Sequence, residues 1–294
     1  MQEPVLRHVT CANPKGLHRM AYWEWGSPEA ARTVVCVHGL TRQGRDFDTL
    51  ARVLAGDGLR VVCPDVAGRG ESDWLPDPML YQIPTYVADM VTLVARLGVA
   101  QVDWVGTSMG GLIGMALAAL RAPGQAPLVR SLVVNDVGPT IEYASLERIG
   151  QYLGLPLRFD TPEQACEYLW TISRSFGPHT PEQWRAFSLP QLRPAPEGGW
   201  RFHYDPALAV PYRAYTPEVA KAAESMLWQT WDAIAGPALL LRGADSDLLS
   251  AATAEAMGRR GPKPRCVEFA GIGHAPTLIA DDQVAAVRDF LRQD

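Results

Sequence analysis

Short β-branched runs that alternate with helix-like segments are the feature of this sequence that most limits its fold. Most of these runs end at Gly or Asp, as buried strands do, and they span residues 18–26, 33–39, 59–68, 102–108, 130–138, 237–245 and 265–274. Between several of them apolar residues recur with the helical period, as in residues 49–58, 85–98 and 281–294. This alternation predicts an α/β fold with a mostly parallel sheet covered by helices on both faces.

The alternation stops between residues 139 and 235. This segment contains four helix-like pieces, and three of them begin with Thr-Pro, where Thr suits the N-cap and Pro the first helical position. Prolines and glycines in residues 194–200 are typical of a joint between packed pieces. We therefore predict a helical insertion, residues 139–235, after the sixth strand of a core formed by residues 1–138 and 236–294.

Charge and cysteine usage exclude several classes of function. A net charge of −5 without long runs of one sign argues against nucleic acid and anionic membrane surfaces as partners. The five cysteines are scattered without a CxxC pair, which predicts reduced thiols and neither a disulfide frame nor a zinc site. No apolar run is long enough for a signal peptide or a membrane span, so we expect a cytoplasmic protein. We also expect a monomer or a homodimer.

Ser108 lies where a predicted strand meets a predicted helix. The surrounding residues, Gly106-Thr107-Ser108-Met109-Gly110, form a G-x-S-x-G sequence in the strand–turn–helix context that a nucleophile elbow requires. A helix that starts at Met109 directs its free amide groups towards Ser108, where negative charge develops during acyl transfer. A serine N-cap flanked by packing glycines would give the same short pattern. The rest of the sequence must therefore decide between a structural serine and a nucleophile.

A nucleophilic serine needs a base and an acid that orients the base. His274 follows the last strand-like run in a Gly-rich turn, and it is the histidine whose place in the chain fits the base. Three aspartates compete for the third position. We prefer Asp247, deep in the loop before the next helix, then Asp245 in the same loop, and then Asp136 after the strand that follows the elbow.

These residues resemble the α/β-hydrolase family over nearly the whole chain. The resemblance is carried by VVCVHGL (34–40), PDVAGRGESD (64–73), GTSMGG (106–111), RGADSDLLS (242–250) and GIGHAPTL (271–278). It implies a helical cap at residues 139–235, a Ser-Asp-His triad, and an oxyanion hole formed by the amides of Leu40 and Met109. Serine at position 108 argues against haloalkane dehalogenases and epoxide hydrolases, which resemble this pattern but have aspartate there.

The expected reaction is hydrolysis of carboxylic esters with small or medium acyl groups, through an acyl-enzyme and without a metal or organic cofactor. Short hydroxyacid oligomers, monoesters and lactones fit if Arg42 pairs with a substrate carboxylate. Trp170 and Arg213 of the insertion are further candidates for substrate contact. Alternative functions are carbon–carbon bond hydrolysis of diketone-like substrates, a ligand receptor with little turnover, and a lyase or oxygenase on the same scaffold.

Overall fold

The computed structural model describes residues 3–121, 124 and 126–293. The strands are β1 (Val5–Asn13), β2 (Gly16–Trp25), β3 (Thr33–Val37), β4 (Arg60–Pro64), β5 (Val102–Thr107), β6 (Val129–Asn135), β7 (Leu192–Pro194), β8 (Trp200–Phe202), β9 (Ala238–Gly243) and β10 (Arg265–Phe269). The α-helices are α1 (Asp48–Gly56), α2 (Ile83–Leu97), α3 (Met109–Ala119), α4 (Tyr143–Gly150), α5 (Pro162–Ile172), α6 (Pro181–Ser188), α7 (Ala209–Arg213), α8 (Pro217–Ala233), α9 (Ala251–Arg259) and α10 (Asp281–Leu291).

Within the described residues, eight strands form one sheet in the order β1-β2-β4-β3-β5-β6-β9-β10. The strands from β4 to β10 in this order run parallel to one another, and β2 pairs antiparallel with both β1 and β4. The prediction of a mostly parallel sheet is confirmed. Because β5 and β6 are neighbours and Thr107 lies opposite Asn135, the residues that follow these two strands emerge side by side at one edge.

The central strands are buried on both faces because their alternate side chains enter two separate cores. In β3, Val35 and Val37 join the core that contains α2 and α3, whereas Val34 and Cys36 join the core that contains α1 and α10. This period of two explains why the strand sequences are nearly continuous apolar runs. The helices on both faces hold the sheet rigid, so the loops at its carboxyl edge have a fixed base.

The insertion lies between β6 and β9 and contains α4 to α8. The hydroxyl oxygens of Thr161, Thr180 and Thr216 each accept a hydrogen bond from a backbone amide in the first turn of the following helix, and proline begins each helix. The three predicted Thr-Pro starts are therefore confirmed. The insertion is not wholly helical: the predicted joint at residues 194–200 includes the turn of an antiparallel hairpin formed by β7 and β8.

Two further observations concern the whole described chain. No helix within the described residues is long and apolar enough to cross a membrane. All five cysteines are free thiols, four of them buried and Cys266 exposed.

Candidate active site

Ser108 occupies a strained turn between β5 and α3. Its φ is +52° and its ψ is −116°, a combination that non-glycine residues rarely adopt and that clusters at functional sites. The two flanking glycines allow the turn, because a Cβ on Gly106 would lie 2.2 Å from the Gly110 carbonyl oxygen and a Cβ on Gly110 would lie 2.0 Å from the Val37 carbonyl oxygen. The backbone therefore requires glycine at both positions and turns Ser108 towards the cavity above the sheet.

His274 contacts Ser108 from the loop after β10. Its Nε2 lies 3.0 Å from Ser108 Oγ, and its Nδ1 lies 2.7 Å from Asp136 Oδ2. The imidazole is 10% exposed and the Asp136 side chain is fully buried. The three side chains thus form one hydrogen-bonded chain from a buried carboxylate to a serine hydroxyl at the cavity surface, the arrangement that activates a serine.

Asp136 is held by donors on both of its carboxylate oxygens. The Gly243 amide donates to Oδ1 over 2.9 Å, and the Ser246 hydroxyl donates to Oδ2 over 2.7 Å, beside His274. The backbone of Asp136 has φ +58°, which bends the chain immediately after β6. These contacts fix the carboxylate in one orientation and satisfy a charge that is buried away from water.

The preference for Asp247 as the acid is contradicted by the structure. The Asp247 carboxylate is 47% exposed and accepts hydrogen bonds from Nε and Nη2 of Arg148 at 2.7 and 3.0 Å. Asp245 is exposed as well, whereas Asp136, the third candidate, contacts His274. The physical reason is the strand order, because β6 lies directly beside β5 and delivers Asp136 next to Ser108.

Leu40 and Met109, whose amides the resemblance assigns to the oxyanion hole, both lie beside Ser108. Met109 is the first residue of α3, so its amide has no carbonyl to bond within the helix. A Cβ on Gly39 would lie 3.6 Å from Ser108 Cβ, so the turn that carries Leu40 packs against the serine. The structure thus brings together the residues of the proposed oxyanion hole.

Two buried side chains hold this turn in place, and both lie in stretches that carry the family resemblance, VVCVHGL (34–40) and PDVAGRGESD (64–73). Arg69 donates from Nε to the Leu40 carbonyl over 2.8 Å, and its Nη2 lies 3.5 Å from Met109 Sδ. His38 Nε2 accepts from the Val66 amide over 3.0 Å, and its Nδ1 donates to the Gly39 carbonyl over 2.7 Å. Burial lowers the pKa of His38 to about 3, so the ring stays neutral and keeps both bonds.

Ser108 and His274 open onto a cavity of about 890 Å³, a volume that includes its open mouth. Core and insertion both contribute to its walls, and aromatic and aliphatic side chains predominate, as in sites for small organic ligands. The insertion supplies Arg148, Ile149, Tyr152, Leu169, Ile172, Ser173, Phe176 and Phe187. A smaller adjoining cavity shares Thr41, Arg42, Tyr152, Leu169 and Ile172 with it.

Of the three predicted substrate contacts, the structure brings Arg42 to the cavity. Arg42 lines both cavities, but its Nε and Nη2 donate to Asp46 at 2.7 and 2.9 Å. Trp170 packs edge-on against Trp184, with ring centroids 5.0 Å apart, and lines neither cavity. Arg213 is exposed on α7 and also lines neither. The predictions for Trp170 and Arg213 are therefore wrong.

The insertion is hydrogen-bonded to the loop that carries His274. The Gly273 amide donates to the Ser175 carbonyl over 2.6 Å, and the Ser175 hydroxyl donates to the His274 carbonyl over 3.2 Å. His179 Nε2 accepts from the Thr277 hydroxyl over 2.9 Å, since its Nδ1 donates to the Gly177 carbonyl. The position of His274 is therefore tied to the insertion as well as to the sheet.

Cys11, His18 and Asp89 form a separate buried group whose ligand atoms lie within 4.8 Å of one another. Asn13 Oδ1 accepts from the Lys15 amide, so its Nδ2 faces His18 Nδ1. The ring proton of His18 is then on Nε2, which donates to Asp89 over 3.0 Å. This tautomer directs a proton where a metal would bind, so we interpret the group as a hydrogen-bonded link between the first two strands and α2.

Comparisons with known proteins agree with this geometry. Residues 34–288 match the model of the alpha/beta hydrolase family. The chain is 55% identical to a 3-hydroxybutyrate-oligomer hydrolase of Cupriavidus necator over 98% of this chain and 97% of that protein. It is 25% identical to an esterase of Mycobacterium tuberculosis over 91% of this chain and 83% of that protein. The crystal structure of an alpha/beta hydrolase from Novosphingobium aromaticivorans covers both chains completely at 36% identity, with a TM-score of 0.86.

Proposed function

The chain belongs to the alpha/beta hydrolase family and hydrolyses ester bonds, and we propose that its substrates are short oligomers of 3-hydroxybutyrate or of similar hydroxy acids. The observation that carries the proposal is the chain of hydrogen bonds from Asp136 through His274 to Ser108 inside a cavity that the insertion covers. The relative from Cupriavidus necator, which matches over nearly both full lengths, supports the choice of substrate.

In the proposed mechanism, Ser108 attacks the ester carbonyl while His274 Nε2 takes the serine proton. Asp136 keeps the other ring proton on Nδ1 and stabilises the imidazolium that forms. The Leu40 and Met109 amides hold the negative oxygen of the tetrahedral intermediate. His274 then protonates the leaving alcohol, the acyl group remains on Ser108, and a water molecule activated by His274 releases it as an acid. Each cycle consumes one water and yields one acid and one alcohol.

We also propose that residues 139–235 are a cap on a hydrolase core formed by residues 1–138 and 236–294. The cap supplies much of the cavity wall, including Tyr152, Leu169, Phe176 and Phe187. A mostly apolar wall favours small or medium acyl groups, such as one or a few hydroxybutyryl units. A cytoplasmic location, supported by the buried free thiols, and a monomeric or homodimeric state remain predictions.

The test is a substrate panel on the purified protein. It contains the dimer and trimer of 3-hydroxybutyrate, p-nitrophenyl butyrate and a diketone that carries no ester. We expect turnover of the esters and none of the diketone, with covalent labelling of Ser108 by a fluorophosphonate. Ser225→Ala, an exposed serine on α8, is the matched control and should keep both labelling and turnover. Cleavage of the diketone at a higher kcat/KM than that of every ester would refute the proposal.

A further inference from the structure

The lining of the cavity that contains Ser108 includes two cationic side chains and one anionic side chain. Among the described residues that line it, the side chains with a full charge at neutral pH are Arg42, Asp46 and Arg148. Arg42 and Asp46 form an ion pair within the lining and cancel each other. Arg148 pairs with Asp247, which lies outside the lining. Among these three side chains, Arg148 is therefore the one whose counter-ion lies outside the lining.

Arg42 is not available to a substrate carboxylate. Its two bonds to Asp46 are buried, with side chains 11% and 12% exposed, and Asp46 also accepts from Gln191 Nε2 over 2.8 Å. The Phe187 ring covers the guanidinium, with its centroid 3.9 Å from Arg42 Cζ. Withdrawing Arg42 would leave the buried Asp46 carboxylate without its cation, which is strongly destabilising. We therefore interpret Arg42 as part of the cavity wall.

Arg148 also bonds to a carboxylate through two nitrogens, but this pair is far more exposed than that of Arg42. It lies on α4 of the insertion, its side chain is 36% exposed, and its partner Asp247 is 47% exposed. Exposed ion pairs contribute little to stability because water replaces the partner readily. The guanidinium already presents Nε and Nη2 as a two-pronged donor to the carboxylate oxygens of Asp247. A substrate carboxylate of the same shape can therefore take the place of Asp247.

We propose that Arg148 binds the terminal carboxylate of the substrate, by exchange with Asp247, and so makes this enzyme specific for the carboxyl end of hydroxyacid oligomers. The inference rests on the proposed function and adds the direction of cleavage. In such an oligomer, the last ester oxygen is bonded to the carbon two positions from the carboxylate carbon. A carboxylate on Arg148 therefore belongs to the alcohol half of the ester that Ser108 attacks.

The direction of cleavage follows from this placement. Ser108 keeps the longer acyl part, and the terminal 3-hydroxybutyrate leaves as the alcohol after His274 protonates its oxygen. Water then releases the shortened oligomer as an acid, which carries a new terminal carboxylate. Each cycle consumes one water, and the shortened oligomer is again a substrate for the same site. Because Arg148 and Ser108 line the same cavity, we expect the last ester of the chain to be the one that reaches Ser108, so that one unit at a time is removed from the carboxyl end.

The experiment compares the 3-hydroxybutyrate dimer with its methyl ester, which lacks the charge, in wild type and variants. The preference for the acid is measured as kcat/KM for the acid divided by kcat/KM for the methyl ester. In Arg148→Ala, we expect this preference to fall about ten- to a hundred-fold, mainly because KM for the acid rises. Arg148→Lys should have a preference for the acid between those of Arg148→Ala and wild type, since lysine keeps the charge but not the two-pronged donor. Asp247→Asn should lower KM for the acid, because it removes the competing carboxylate.

Arg185→Ala is the matched control. Arg185 also lies in the insertion and pairs with an exposed carboxylate, Glu163, at 3.5 Å, but it lines neither cavity. We expect Arg185→Ala to have the same preference for the acid over the methyl ester as wild type. A trimer blocked as the methyl ester should be cleaved much more slowly than a trimer acetylated at its hydroxyl end, and the acetylated trimer should release free 3-hydroxybutyrate first.

Two results would overturn the proposal, and they differ from each other. Equal losses on the acid and the methyl ester in Arg148→Ala would mean that Arg148 only joins the insertion to the core, although the protein would still cleave the oligomers. Turnover of p-nitrophenyl butyrate without cleavage of either dimer would refute the oligomer substrate itself and, with it, this role of Arg148.

Discussion

Replacing Asp136 with asparagine changes one atom of the carboxylate and should remove most of the activity. The Gly243 amide donates to Oδ1 over 2.9 Å, and an amide N–H accepts nothing, so the Asn oxygen must remain there. The Asn NH₂ then faces His274 Nδ1, which must give up its proton. That proton moves to Nε2 and points at Ser108, so the ring can no longer take the serine proton. In the opposite orientation of the Asn, its NH₂ group would face the Gly243 amide, so two buried donors would lie against each other.

The expected loss in kcat is about ten-thousand-fold, by analogy with the same change in serine proteases, which corresponds to about 5 kcal/mol of transition-state stabilisation. The assay is kcat on p-nitrophenyl butyrate, with thermal unfolding to show that the variant is folded. Asp245→Asn is the matched control, because Asp245 is an exposed aspartate in the loop that also holds Asp247. Its kcat should equal that of wild type. Asp247→Asn should lower kcat far less than Asp136→Asn does. The reverse order, or retention of more than about a tenth of kcat in Asp136→Asn, would refute this orientation of His274.

Three further predictions concern the elbow and the turn beside it. Ser108→Ala should lower kcat on the order of a million-fold and abolish fluorophosphonate labelling while leaving the melting temperature within a few degrees of wild type; a labelled variant would contradict the covalent mechanism. Gly110→Ala should lower both the melting temperature and kcat, because its Cβ would lie 2.0 Å from the Val37 carbonyl oxygen; an unchanged melting temperature would show that the turn relaxes freely. Burial lowers the pKa of His38 to about 3 from 6.5, so as the pH falls below 6.5 the unfolded chain gains a proton that the folded chain does not, and the folded state loses stability. The difference in the free energy of unfolding between wild type and His38→Asn, measured in urea, should therefore shrink by about 2 kcal/mol between pH 7 and pH 5; a constant difference would show that His38 is not held neutral.

The local features of this fold could be predicted from the sequence because each has a local cause. Strands that are buried on both faces have continuous β-branched runs in their sequences, and Thr-Pro indicates the start of a helix. Ser108 and its two glycines were likewise predictable, since the clash that excludes a Cβ at Gly106 involves Gly110, only four residues away. Such contacts leave a signature within a short stretch of chain.

The error over the acid concerns a contact between distant parts of the chain. Asp136 is 138 residues from His274, and its role depends on β6 being the neighbour of β5, which no short stretch of sequence states. A signal was present, since Asp136 directly follows a buried strand that itself follows the elbow helix, but the order of strands in the sheet was needed to weigh it. The prediction that Trp170 contacts the substrate was wrong for a related reason. Whether an aromatic side chain faces a cavity or the interior of the insertion depends on its packing partners, here Trp184.

The hydrogen bonds between the insertion and the loop of His274 link the alignment of the base to the position of the insertion. The Ser175 hydroxyl and the His179 ring both bond to this loop, so a substitution that loosens the insertion also removes support from the imidazole. The insertion should therefore influence the chemical step as well as substrate binding, and a variant that loosens it should lower kcat as well as raise KM.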